Sequence, residues 1–122
     1  MFVMFGHSND KKLTHGANVI DMRNKTEVRE AIIAINNMDA FIGGDSGLVH
    51  IALALHIPTV CIFGMIDPDL RLRYYTGKKK VVVKELGCTK CYGSLTDDCK
   101  KEKVIKCMDI EPEIIFNALK SL

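Results

Sequence analysis

FIGGDSGLVHIALALHIPTVCIFGMIDPDLR, residues 41–71, is the stretch whose reading decides the fold. Phe41-Ile42-Gly43 is a short apolar run of strand length. Gly44-Asp45-Ser46-Gly47 is a small polar turn, and from Leu48 onward the residues are apolar nearly all round. That order predicts strand, tight turn, buried helix. After His56-Ile57-Pro58 a β-branched run, Thr59-Val60-Cys61-Ile62-Phe63, closes at Gly64, and Asp67-Pro68 makes the next turn. Two apolar strands flanking one buried helix form a βαβ unit, whose strands are parallel and whose crossover is right-handed.

The turn between Gly43 and Leu48 is where a ligand is expected. In open parallel sheets ligands bind beyond the carboxyl ends of the strands, where a helix N-terminus offers unpaired N–H groups and a partial positive charge. Glycines at 43, 44 and 47 allow close backbone approach, as a phosphate requires. Asp45 has a second reading as a plain N-cap of the following helix. The two roles are compatible.

Outward from this unit the same alternation continues. Phe2-Val3-Met4-Phe5 reads as a strand ending at Gly6, and the polar stretch from His7 to Lys12 has room for one helical turn. Asn18 to Met22 is a second strand. Thr26 is expected to cap a helix whose core stripe is Val28, Ala31, Ile32 and Ile35, ending near Asn36-Asn37. Beyond the central unit, Lys80-Val81-Val82-Val83-Lys84 is a strand bracketed by charge, which suits a sheet edge. After Asp109-Ile110-Glu111-Pro112-Glu113, the residues Ile115, Ala118, Leu119 and Leu122 recur at helical spacing. The expectation is α/β: a Rossmann-like, doubly wound parallel sheet in three α/β/α layers, residues 1–122 forming one domain.

Composition narrows the function classes. The chain has 122 residues, of which 48% are hydrophobic, enough for one core, and its net charge of +2 gives no nucleic-acid footprint. Lys78-Lys79-Lys80 reads as a solvated strand entry. The longest apolar run, Ile51 to Leu55, is too short to span a bilayer, and Met1-Phe2-Val3-Met4 lacks the charged start of a signal peptide. The chain is therefore expected in the cytoplasm, with no nucleic-acid partner and no transmembrane segment.

Asp45-Ser46-Gly47-Leu48-Val49-His50, the Ala/Leu-rich helix, Pro58, the hydrophobic strand and Phe63-Gly64-Met65-Ile66-Asp67-Pro68 together resemble the signature of glycosyltransferase family 9, the ADP-heptose:lipopolysaccharide heptosyltransferases and their relatives. The family pattern runs D-[ST]-G-x-x-H-[LI]-A-x-A-L, then P-T-V and a strand ending in G-x-[TS]-D-P. Met65 and Ile66 depart from it, replacing a Pro and a hydroxyl residue. The resemblance implies the C-terminal, donor-binding half of a two-domain GT-B fold, here without its first β-α unit. It also implies a separate N-terminal domain or partner chain that carries the acceptor site and the general base, so no catalytic residue is assigned within this sequence and the chain alone is expected to be inactive.

For the donor, a nucleotide-diphospho-sugar such as ADP-heptose, the resemblance implies contacts from Asp45, Ser46, Gly47, Leu48 and His50. The Ser46–Leu48 amides and the Ser46 hydroxyl would face the diphosphate. His50, one turn beyond Ser46 on the same face, approaches the phosphates, holds the turn, or is simply a core histidine. Asp10 is the carboxylate near the end of the first strand, where the family holds the ribose, and Lys25 stands at the tip of the second strand, beside the base pocket or in solvent. Arg71, Arg73, Tyr74 and Tyr75 follow Asp67-Pro68, and arginines there suit bidentate diphosphate contact or an ordinary surface. No cofactor is required for transfer. The acceptor would be of lipopolysaccharide type, met peripherally at the inner membrane. A free-standing, non-catalytic nucleotide-binding module remains the alternative.

Residues 88–107 form a cysteine-bearing loop, Cys88-x2-Cys91-x7-Cys99-x7-Cys107. Four thiolates so spaced fit a structural zinc knot, and a zinc-stapled interaction domain is a further reading; reduced thiols and disulfides are the other states open to them. Cys61, inside the second core strand, reads as a small buried hydrophobe.

Overall fold

The computed structural model describes residues 1–7, 16–88, 91 and 105–122. The predicted βαβ unit is present. Strand β3 (Phe41–Gly44) leads through helix α2 (Gly47–Ala54) into β4 (Thr59–Phe63), with Phe41 opposite Thr59 and Gly44 opposite Ile62 in parallel register. A short helix α3 (Pro68–Leu72) then returns the chain to β5 (Lys79–Val83), parallel to β4. The ladder order β3-β4-β5 leaves β5 at the edge, as its bracketing lysines suggested. Upstream, β1 (Phe2–Met4) and β2 (Val19–Asp21) pair in parallel as a separate two-stranded ladder. Helix α1 (Val28–Ile35) leaves β2 and packs against α2, which joins the two ladders.

Burial follows the strand order. Every residue of β4 except Ile62 is fully buried, the pattern of a strand covered on both faces. Cys61 and Phe63 point toward Val49 and Leu53 of α2 and Leu72 of α3, forming the core to which Phe41, Ile66, Tyr75 and Val83 add. Val60 and Val82 alternate to the opposite face and are buried there too. Helix α4 (Pro112–Lys120) packs against both β4 and β5. Its half-buried residues are the predicted Ile115, Ala118 and Leu119, with Leu122 beyond its end, so the helical spacing marks the inward stripe. Ile114 and Phe116 on its other side are about half exposed, and Lys120 Nζ stands 4.7 Å over the Phe116 ring.

Helix starts differ from the sequence expectation by one residue. Glu27, not Thr26, is the N-cap of α1, because Glu30 three residues on carries a carboxylate that accepts the Glu27 N–H at 2.8 Å. A cap at Thr26 would place Arg29 at that position, which has no acceptor to return. Val28 is 64% exposed and drops out of the stripe, leaving Ala31 and Ile35 buried. At α2 the cap is Ser46 rather than Asp45. The end of α2 closes through His56 N–H to Leu53 O at 3.1 Å and Ile57 N–H to Ala52 O at 3.0 Å, with His56 at φ 58°. This pair of bonds is a Schellman cap.

Candidate functional site

The site is built where β3 meets α2. Gly43 is required there for packing, since a Cβ would come within 2.8 Å of both the Phe41 ring and Val49 Cγ2. The chain passes Gly44 and turns at Asp45 and Ser46, the latter extended at φ −153°, ψ 164°. Ser46 makes no side-chain cap bond, so the first-turn amides of α2 are left for a ligand or solvent. Gly47, the first helical residue, has open space where its Cβ would be.

Asp45 occupies the position before the cap, and His50 is the fourth residue of the helix. Apolar residues at these two places commonly staple the chain to its helix. Here the staple is polar: Asp45 Oδ1 lies 3.5 Å from His50 Nε2. The second carboxylate oxygen lies 3.6 Å from Arg71 Nε. The His50 ring is tilted against Tyr75, centroids 5.7 Å apart. One carboxylate thus lies between the turn, the helix and α3, with His50 at one oxygen and Arg71 at the other.

Asp67 is the turn residue its sequence suggested, capping α3 by accepting the Asp69 N–H at 3.1 Å. Ile66 packs on the core and Met65 is half-buried, so the two departures from the motif put apolar side chains where a Pro and a hydroxyl residue were expected.

At the other ladder, Lys25 lies at the tip of β2 as predicted, its Nζ donating to Asp21 O at 2.9 Å. Beside it, Arg23 grips Asp21 through Nε and Nη2 at 2.9 and 2.8 Å. Asn24, at φ 56°, donates its N–H to Gly6 O at 2.9 Å, and His7 Nδ1 lies 3.1 Å from Asn24 Oδ1. The carboxyl ends of β1 and β2 are therefore tied into one polar edge. Sequence reading missed the Asp21–Arg23 fork and the Asp45–Arg71 pair. The first had a local signal, an Asp and an Arg two residues apart at a strand end; the second, across 26 positions, had none. Asp10 lies outside the described residues, as does the proposed turn around it.

Of the cysteines, Cys88 is exposed, Cys91 half-buried and Cys107 buried, whereas Cys99 lies outside the described residues. Among the described residues no group of three or more His, Cys, Asp or Glu side chains is arranged to hold a metal ion. Cys61 is fully buried, and burial pushes its thiol up to about 11 against a smaller opposing pull from Lys79. Among the described residues no helix is long and apolar enough to cross a membrane.

Residues 3–103, which include both ladders except Phe2 and also the Asp45 turn, match Glycosyltransferase family 9 (heptosyltransferase). The chain belongs to that family. It is 32% identical over 104 residues to lipooligosaccharide heptosyltransferase 2 of Campylobacter jejuni, covering 85% of this chain and 32% of that protein. It is 36% identical over 63 residues to lipopolysaccharide heptosyltransferase 1 of Campylobacter coli, covering 52% of this chain and 18% of the relative. To lipooligosaccharide heptosyltransferase 2 of Haemophilus influenzae it is 37% identical over 50 residues, covering 41% of this chain and 14% of the relative. The family 9 chain thus spans less than a third of the length of these relatives. No solved structure gives a significant match. The parallel, helix-flanked strands are the Rossmann-like architecture that family membership entails.

Proposed function

We propose that this chain is the donor-binding part of a family 9 glycosyltransferase, holding a nucleoside diphosphate-sugar at the start of α2. The observation that carries this reading is the open first turn at Ser46-Gly47-Leu48, uncapped by Ser46 and unobstructed at Gly47, at the carboxyl end of a parallel strand. The amides would meet the diphosphate, and Lys25 and the polar edge of β1 and β2 would face the nucleoside, joined there by Asp10. His50 would steady the turn through Asp45.

In the transfer, the bond from the sugar's anomeric carbon to the diphosphate oxygen breaks and a bond to an acceptor hydroxyl forms. The hydroxyl proton passes to a base carried by the acceptor-binding domain. The departing diphosphate gains negative charge at the turn, where amides and the helix dipole stabilise it electrostatically without a metal. On this reading the sugar is a heptose or a relative, the acceptor is of lipopolysaccharide type, and the chain works in the cytoplasm with a second domain or subunit. Any zinc on Cys88, Cys91, Cys99 and Cys107 would serve structure alone.

Titration of the purified chain with ADP, UDP and their sugar conjugates, followed by amide NMR, tests the reading. Shifts centred on Ser46, Gly47, Leu48 and His50 are expected, and the nucleotide that produces them names the base. Absence of any such shift at millimolar nucleotide removes the donor-site reading for this chain.

A further inference from the structure

A carboxylate at the mouth of an anion site is an electrostatic liability. Asp45 immediately precedes the uncapped first turn of α2, so its charge opposes any phosphate arriving there. The molecule answers with two groups on that one carboxylate, His50 on Oδ1 and Arg71 on Oδ2. Of these two, the guanidinium is always charged. Arg71 is therefore the permanent counter-charge beside the turn.

The geometry distinguishes Arg71 from its neighbour. Arg73 spends its Nε on Asp69 O at 3.0 Å, within its own helix end. Arg71 engages Asp45 through Nε at 3.6 Å, is 53% exposed, and has no other partner for its terminal nitrogens among the described residues. A guanidinium carries five N–H donors. Asp45 can hold it by one edge while the two Nη groups remain for a phosphate oxygen pair, the planar arrangement that suits bidentate contact.

We infer that Arg71 is a diphosphate-binding residue of this site, held in place by Asp45. The inference rests on the donor-site reading above.

Inorganic pyrophosphate is the probe, because it needs no knowledge of the base. Arg71→Ala should weaken pyrophosphate at the Ser46–Leu48 amides by about ten-fold, the lower range for a charge-assisted hydrogen bond. Arg71→Lys should fall between it and the parent, keeping the charge and losing the fork. Arg73→Ala should bind as the parent does, and adenosine and uridine should respond to neither change. Parental binding with an unaltered Arg71→Ala affinity overturns the role of Arg71 and leaves the site standing. An equal loss in Arg73→Ala also overturns it, by reducing the effect to general surface charge. No amide shift in the parent removes both readings.

Discussion

A methyl group on Gly64 would sit 2.8 Å from Cys107 Sγ, which fastens the turn before α4 to the carboxyl end of β4. Met108 Sδ lies at the same distance, but a methionine tip can swing away. Cys107 is buried, and its Cβ lies 3.5 Å from the same point, so it has less room to give.

Gly64→Ala should therefore cost about 1–3 kcal/mol, the usual range for overpacking, seen as a lower urea midpoint with unchanged slope. Cys107→Ala in the same chain should restore part of that loss, because it removes the atom in the way. A double variant as unstable as the sum of the singles would mean that the two residues are not in contact.

Gly47→Ala separates binding from stability. The space beside Gly47 is open and the residue is helical, so alanine should leave stability within about 0.5 kcal/mol or raise it slightly. The added methyl stands at the amides offered to the diphosphate, so nucleotide affinity should fall. Thermal melts and nucleotide titration of the same sample decide the matter. Equal nucleotide affinity in both proteins would place the diphosphate elsewhere.

The central βαβ unit was legible because its signals are local: two apolar runs of strand length, a glycine turn, and a helix apolar all round. The half-buried stripe of α4 was legible for the same reason, since Ile115, Ala118 and Leu119 recur at helical spacing. Caps were less so. Asp45 and Ser46 are both good caps, and the structure caps the helix at Ser46 while Asp45 faces His50 and Arg71. Arg71 reaches Asp45 only after α3 has folded back, so that contact has no trace in either segment alone. Thr26 lost its cap to Glu27 through the carboxylate at Glu30, a signal present in the sequence as two glutamates three apart. Val28 sits in the first turn of α1 and escapes burial despite fitting the stripe.

His56→Gly should stabilise the fold. His56 holds φ 58° at the position after the cap of α2, where glycine has no Cβ penalty and other residues are strained by roughly 1–2 kcal/mol. Part of that gain is offset by the greater freedom of glycine in the unfolded chain, so a net rise of about 0.5–1 kcal/mol is expected. A denaturation midpoint below that of the parent would show that the imidazole contributes more here than the backbone strain costs.

Cys61 gives the fold a defined weakness in alkali. Its thiol is raised from 9.0 to about 11 by burial, so the folded chain keeps the proton through a range in which the unfolded chain loses it. The stability associated with this proton is complete below about pH 9 and is lost as pH rises through 11. The loss should reach about 2 kcal/mol at pH 11. Lysines and tyrosines titrate in the same window, so the comparison that isolates Cys61 is with Cys61→Ala, which starts lower because of the small cavity but should decline less steeply by that amount. Parallel pH profiles for the two proteins would mean that the thiol ionises equally easily in the folded chain. Alkylation gives an independent check: iodoacetamide at pH 9 should modify Cys88, which is exposed, well before Cys61.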